Sequence, residues 1–174
     1  MKNFLMDLNP AYKFPNVLNG FDEINKGDIC LSRWKFIKKR ILFYVESDND
    51  TIHVGLITMP FLLLEEEVFK IASKYEPVMP SRQVVLLDKK NFISSLYYLP
   101  ILPRIDCISP NSKLINANTR FDGVPILNFD TIRGYHIFWL KDFNSHLPVI
   151  SLDLAESILR RNAMGIHLTP IELE

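Results

Sequence analysis

The chain has 174 residues, of which 48% are hydrophobic and 23% are charged, a composition far from that of intrinsically disordered proteins. This length suits one domain better than two. Its 20 basic and 20 acidic residues leave no net charge, so no overall field attracts the protein to a polyanion or an anionic membrane, and neither is expected as a partner.

The first twenty residues predict an extended lead-in, because Pro10, Pro15 and Gly20 interrupt them. They lack the uninterrupted apolar segment of a signal peptide, and no apolar run approaches the length of a membrane span, about 18 residues. These features predict a cytoplasmic protein.

Residues 28–45 predict strands, since aromatic and β-branched residues alternate there with basic ones. An acidic turn at 46–51 and a strand at 52–59 follow, in which Ile52, Val54 and Leu56 share one face at period two. The pattern therefore predicts a hairpin, with the acidic turn exposed at its tip.

The first helix is predicted within residues 58–75, with Thr58 as a possible N-cap and acidic residues near the start. Its apolar face consists of Leu64, Val68, Ile71 and Ala72. A strand at 82–88 follows, whereas the apolar segment 90–108, broken by Pro100 and Pro103, is left unassigned.

Near the C-terminus the sequence predicts a buried strand at 134–142, a helix and a closing strand at 166–173. Ser151 or Asp153 can cap the helix, and Asp153 with Glu156 has the spacing of a capping box. The predicted buried stripe is Leu154, Ala155, Ile158 and Leu159, with Arg160 and Arg161 in the last turn and Gly165 as the left-handed residue that ends the helix.

Segments 60–68 and 148–156 resemble each other, because each runs from a proline through apolar residues into an acidic helix start. Helix N-termini share these features for physical reasons, so the likeness is open to two explanations, internal duplication and common helix chemistry. Together the elements predict one α+β domain over residues 1–174, with a mostly antiparallel sheet and a few packed helices.

Residues that often carry catalysis are scattered along this sequence. The four histidines, His53, His136, His146 and His167, have no partner at metal-binding spacing, and Cys30 and Cys107 are expected to be reduced core thiols. The run Glu65 to Glu67 is typical of a solvated first helical turn. We therefore expect no catalytic residue, cofactor or metal site, and no small-molecule substrate.

Two further segments have alternative interpretations. The basic residues among 33–40, which alternate with aromatic ones, are typical of a nucleic-acid strip or of the outer face of a strand, and net neutrality favours the strand. Residues 96–105 have the composition of an exposed docking patch or of a packed core segment.

Three motifs resemble the immunity proteins of bacterial polymorphic toxin systems over roughly residues 58–173. A tyrosine-rich segment leads to an aspartate and a serine, a strand of the form "IF.L" follows, and a helix, a glycine and a short strand with proline close the chain. The matching residues are Tyr97, Tyr98, Asp106 and Ser112; Ile137, Phe138 and Leu140; and Leu154, Gly165, Ile166 and Pro170.

The resemblance implies a small cytoplasmic protein that binds a cognate toxin domain made by the same cell and blocks it, without catalysis of its own. The alternatives are a small cytoplasmic enzyme of unrecognised type and a regulatory protein–protein interaction module. Within the predicted acidic turn, Glu46, Asp48 and Asp50 are the candidate partner-binding residues. An ordinary solvated turn is the alternative for that segment.

Overall fold

The computed structural model of the protein describes residues 2–48, 54–112, 114–116, 120–121, 124–141 and 147–174. It contains four α-helices, two mixed β-sheets and a small two-stranded ribbon. The predicted α+β single-domain class is confirmed. Among the described residues, no helix combines the length and apolarity needed to cross a membrane.

Most of the regular structure consists of short strands. In chain order they are β1 (Asn3–Leu8), β2 (Asn16–Val17), β3 (Arg40–Glu46), β4 (Leu56–Ile57), β5 (Leu63–Glu65), β6 (Ser81–Asp88), β7 (Ile93–Pro100), β8 (Arg104–Ile105), β9 (Leu114–Asn116), β10 (Arg120–Phe121), β11 (Ile137–Leu140), β12 (Val149–Ser151) and β13 (Ile166–Ile171). The helices are α1 (Gly20–Glu23), α2 (Glu66–Tyr75), α3 (Phe129–Ile132) and α4 (Leu152–Leu159), and two 3₁₀ helices span Lys26–Asp28 and Trp34–Phe36.

The larger sheet has six strands in the order β2-β3-β6-β7-β5-β4, and the other has five in the order β13-β1-β12-β11-β8. In the described part of the chain all strand pairs are antiparallel except β3 with β6 and β8 with β11. The mostly antiparallel character predicted from the sequence is therefore confirmed.

Each sheet contains a split β-α-β unit. In β5-α2-β6 and in β12-α4-β13, a three-residue strand leads directly into a helix, and the next strand returns parallel to the first. One antiparallel strand, β7 or β1, separates the two parallel ones. The two segments that resemble each other in sequence thus begin the same topological unit.

The hydrophobic core joins the two sheets. One buried cluster contains side chains from both, including Met6 of β1, Leu64 of β5 and Ile150 of β12, together with Val68 of α2 and Leu154 of α4. A second cluster covers the inner face of the six-stranded sheet and includes Phe43, Val84, Leu86, Tyr97 and Leu99. The two helices also meet directly, since the hydroxyl groups of Tyr75 and Ser157 lie 2.5 Å apart.

Most of the features predicted for helix α4 are confirmed. Ser151 is the N-cap, and its hydroxyl oxygen accepts a hydrogen bond from the amide of Leu154 at 3.4 Å. Leu154, Ala155 and Ile158 are buried as predicted. Three details of the prediction are wrong: Leu159 is exposed, Asp153 lies inside the helix, and the left-handed residue just after the helix is Asn162.

Gly165 is left-handed as predicted, with φ 75°, but it directly precedes β13 and does not end α4.

Helix α2 begins later than predicted, at Glu66, because the residues before it pair as β5. Leu64 is buried in that strand, while Val68, Ile71 and Ala72 form the buried helical face. The N-cap is Glu65, whose carboxylate accepts a hydrogen bond from the amide of Glu67 at 2.9 Å. The predicted solvated first turn is confirmed for Glu66 and Glu67, which form ion pairs with Lys70, whereas Glu65 ends strand β5 and is half-buried.

The predicted hairpin between residues 28–45 and 52–59 is wrong. Only Arg40–Glu46 forms a strand in the first segment, and its neighbours are β2 and β6. Strand β4 pairs with β5 instead, and Ile52 lies outside the described residues. A long-range contact shapes the rest of the first segment: Arg82 donates hydrogen bonds to the carbonyls of Ile37 and Trp34, and its guanidinium lies 4.4 Å from the Trp34 ring centroid.

The predicted N-terminal lead-in is extended, but it is not peripheral. Strand β1 pairs with both β12 and β13, which places it inside the five-stranded sheet. Met6 is fully buried there. The composition of the segment, with prolines after residue 8, correctly indicates an extended chain but does not show which strands it joins.

Candidate partner-binding surface

The predicted acidic residues lie at the end of β3, not at a hairpin tip. Glu46 is the last residue of that strand and is exposed, and Asp48 follows it. The carboxylate of Asp48 lies 3.9 Å from Nζ of Lys13 in an exposed ion pair, which contributes little stability. Asp50 lies outside the described residues. Glu46 and Asp48 border a cleft of about 560 Å³, which Tyr12, Phe14 and Lys90 also line.

A row of apolar side chains crosses the adjacent sheet face. Leu42 of β3 pairs in register with Val85 of β6, and Val85 pairs with Leu96 of β7. Because side chains alternate between the faces of a sheet, all three point away from the core that holds Phe43 and Leu86. Leu42 is 38% exposed and Val85 is 36% exposed. We call this side, which carries Leu42, Tyr44, Val85, Leu87 and Leu96, the outer face.

Aromatic side chains border the outer face at two ends. The ammonium group of Lys89 lies 3.9 Å from the ring centroid of Tyr44, a cation–π contact. On the opposite side, the rings of Tyr98 and Phe69 stack with centroids 4.2 Å apart and planes inclined by 6°. Helix α2, which carries Phe69, thus covers the sheet next to the row and leaves the row itself accessible.

The edge of the sheet beside this row is already occupied. The side chain of Asn19 donates a hydrogen bond to the carbonyl of Leu42 at 3.2 Å and accepts one from the amide of Tyr44 at 2.8 Å. The amide of Leu18 donates to the carbonyl of Tyr44 at 2.9 Å. These backbone groups cannot pair with an added strand, so a partner here would contact side chains on the face.

A rigid turn joins β6 to β7 at the end of the outer face. One oxygen of Asp88 accepts hydrogen bonds from the amides of Lys90 and Asn91 at 2.9 and 3.0 Å, and the other accepts from the Ser47 hydroxyl. The Ser47 hydroxyl, followed by the Asn91 amide, lowers the pKa of Asp88 to about 2. Phe92 completes the turn with φ 55°.

Other ionisable groups have structural surroundings. Burial raises the pKa of Tyr97 to about 12, and its hydroxyl donates to the carbonyl of Val54 at 2.8 Å. Burial likewise raises the pKa of Cys107 to about 11, whereas a hydrogen bond with Ser32 lowers that of Cys30. Among the residues that the structure describes, no three His, Cys, Asp or Glu side chains come together as metal ligands.

The motif residues that suggested the immunity-protein resemblance are distributed through the scaffold. Tyr97 is buried, Tyr98 stacks on Phe69, and Asp106 forms an ion pair with Lys141 at 3.0 Å. The Ser112 hydroxyl bonds the backbone of Ile126. These residues do not meet at one surface, so the motifs describe the fold more than a binding site.

Leu42, Val85 and Phe92 were not identified from the sequence, whereas Leu96 begins the segment 96–105, for which an exposed docking patch was one of two interpretations. A continuous apolar segment such as Val84 to Leu87 is typical of a strand covered on both sides. That one side of this strand is accessible becomes evident only from the register between β3 and β6, which are separated by about forty residues of chain.

Comparison with protein-family models gives no match, and comparison with curated proteins likewise finds no similar sequence. The part of the outer face that helix α2 leaves uncovered and the resemblance of the sequence motifs are therefore the two grounds for a functional proposal.

Proposed function

We propose that the protein is an immunity protein: it binds a cognate toxin domain made by the same bacterium and blocks it, using the outer face as its contact surface. The observation that carries the proposal is the row of Leu42, Val85 and Leu96, aligned across three adjacent strands, in which Leu42 and Val85 are exposed and Leu96 is half-buried. The toxin as partner comes from the resemblance of the sequence motifs.

The chemistry of the outer face suits a protein partner. Apolar area removed from water on association contributes about 25 cal/mol per Å². A standard interface buries about 800 Å² per partner, less than a tenth of the 10026 Å² accessible surface of this chain. Rigid strands hold the row in place, so little conformational freedom is lost when a partner covers it.

The charges around the outer face favour an interface with apolar anchors. Arg40 lies at one end of β3 and Glu46 at the other, and Lys89 contacts the Tyr44 ring. Charges of both signs at the rim can orient a bound partner without producing a strong electrostatic field that attracts it from a distance. This arrangement is unlike a strip of cations that follows a nucleic-acid backbone.

The test is co-expression with the C-terminal domain of the secreted protein that the gene immediately upstream is expected to encode. We expect the parent chain to restore growth and to co-purify with that domain. Val85→Glu should abolish both effects, because it places a charge in the centre of the interface. Circular dichroism checks that the variant is folded.

The matched control is Val78→Glu, the same substitution at an 88% exposed position outside the strands. It should protect cells as well as the parent does. Failure of the parent chain to protect or to bind contradicts the proposed function. Protection by both variants would instead show that the toxin binds another surface.

A further inference from the structure

Phe92 combines two unusual properties. Its side chain is 92% exposed, the highest value among the large hydrophobic residues of the described chain. Its backbone is left-handed, with φ 55°, a conformation that bulky residues rarely adopt and that glycine adopts at low cost. Within the described parts of the chain, one other non-glycine residue has a left-handed backbone, Asn162, whose short polar side chain tolerates this region. Folding alone gains little from an exposed phenyl ring at such a position.

The turn holds Phe92 in a fixed place. Asp88 accepts hydrogen bonds from two backbone amides of the turn, and the Asn91 side chain donates to Asp88 at 2.9 Å and to the Ser47 carbonyl at 3.2 Å. The turn is thereby attached both to β6 and to the segment that follows β3. An aromatic residue presented by such a preorganised turn loses little entropy when it binds.

We infer that Phe92 is the anchor that the partner takes into an apolar pocket, and that carboxylates lie at the rim of that pocket. This inference rests on the proposed function. The turn joins β6 and β7, the strands that carry Val85 and Leu96, so the anchor extends the outer face at one end. The carboxylate rim follows from Lys89 and Lys90, which directly precede Asn91 and Phe92 and are both exposed.

Buried aromatic side chains at the centre of pockets account for much of the binding free energy of protein interfaces. Transfer of the ring from water into an apolar pocket offsets the backbone cost that the free protein carries at this position. Replacement of Phe92 by glycine should therefore raise the stability of the free protein and weaken its binding to the partner. A merely structural role of Phe92 does not produce this combination.

The experiment compares Phe92→Gly with the parent, using the full chain and the purified C-terminal domain of the upstream-encoded protein. Glycine relieves the left-handed strain, so the melting temperature should rise by about 2–4 °C. Affinity should fall at least tenfold, about 1.4 kcal/mol. The control is Phe36→Gly, which removes another exposed phenylalanine, 74% exposed in a 3₁₀ helix, and should leave affinity unchanged.

Each outcome has a distinct meaning. Unchanged affinity of Phe92→Gly for a domain that the parent binds overturns the anchor and leaves the proposed function intact. A lower melting temperature shows that the ring packs on the fold, which also overturns it. Absence of binding by the parent contradicts the proposed function and this inference together. Lys90→Glu tests the rim: about threefold weaker binding supports the carboxylates, and unchanged binding removes them from the proposal.

Discussion

Gly165 and Val54 are in such close contact that a Cβ atom added at Gly165 would lie 2.7 Å from Cγ1 of Val54. Val54 has little room to move, because it is 1% exposed and its carbonyl accepts the Tyr97 hydroxyl. The Gly165 carbonyl in turn accepts the amide of Asn9 at 2.8 Å. The contact between Gly165 and Val54 therefore joins the start of β13 to the segment before β4.

Gly165→Ala should destabilise the protein by about 2–4 kcal/mol, because a left-handed alanine and a steric clash both add to its cost. Gly134→Ala is the matched control: Gly134 is also left-handed, with φ 89°, but an added Cβ meets no atom within 4 Å. It should cost only about 1–2 kcal/mol. Urea unfolding of the parent and the two variants measures the difference in the free energy of unfolding. Equal losses in the two variants would show that Val54 moves to accommodate the added Cβ atom.

Asp88 should make the protein sensitive to acid. Its folded pKa of about 2 is below the ordinary value of 3.8, so its stabilising effect is complete above about pH 4 and is lost as the pH falls towards 2. Asp88→Asn removes this titration. Melting temperatures measured from pH 7 to pH 2 should differ most between parent and variant at neutral pH and converge in acid. A constant difference would contradict the assigned role of the carboxylate.

The two cysteines should react with iodoacetamide at very different rates. Cys30 is partly exposed and its pKa is lowered through Ser32, whereas Cys107 is buried and its pKa is raised to about 11. Mass spectrometry at about pH 7.5 should show fast modification of Cys30, and of Cys107 only after denaturation. Cys30→Ser should abolish the fast phase. Rapid labelling of Cys107 in the folded protein would show that its surroundings open readily.

Binding of the toxin domain should depend only modestly on salt. The outer face is apolar with few charges, so association is not driven by a strong field. We expect less than about a tenfold loss in association rate between low and physiological salt. Stopped-flow measurement over that range checks this, and a hundredfold fall would indicate an interface dominated by charge.

The sequence predicted best those elements whose signals are local. The buried Leu154, Ala155 and Ile158 and the left-handed Gly165 were identified, and Ser151 was one of two candidate caps, because each depends on neighbouring residues or on the backbone itself. The segment before β3 was predicted wrongly, because its 3₁₀ helix is held by Arg82 from a strand nearly fifty residues away.

The candidate surface was predicted only at its edge and, as one of two interpretations of segment 96–105, at Leu96. Glu46 lies at the end of β3, the strand that carries Leu42, but charge and turn composition gave no indication of the apolar row. That row exists only through the parallel pairing of β3 with β6, a long-range contact that periodicity does not reveal. The exposure of Phe92 also depends on tertiary structure, since a phenylalanine beside a strand is typically expected in the core.

Strand β1 lies between β12 and β13, so the five-stranded sheet can be completed only late in synthesis. Every strand of the six-stranded sheet lies within residues 16–100, so a nascent chain already contains all the pairing partners that align Leu42, Val85 and Leu96. The five-stranded sheet cannot be completed until residues 166–171 emerge from the ribosome, because β1 has no neighbour before β12 emerges and lacks its second neighbour until β13 does. The proposed binding face can therefore form on the ribosome while the opposite sheet is still incomplete.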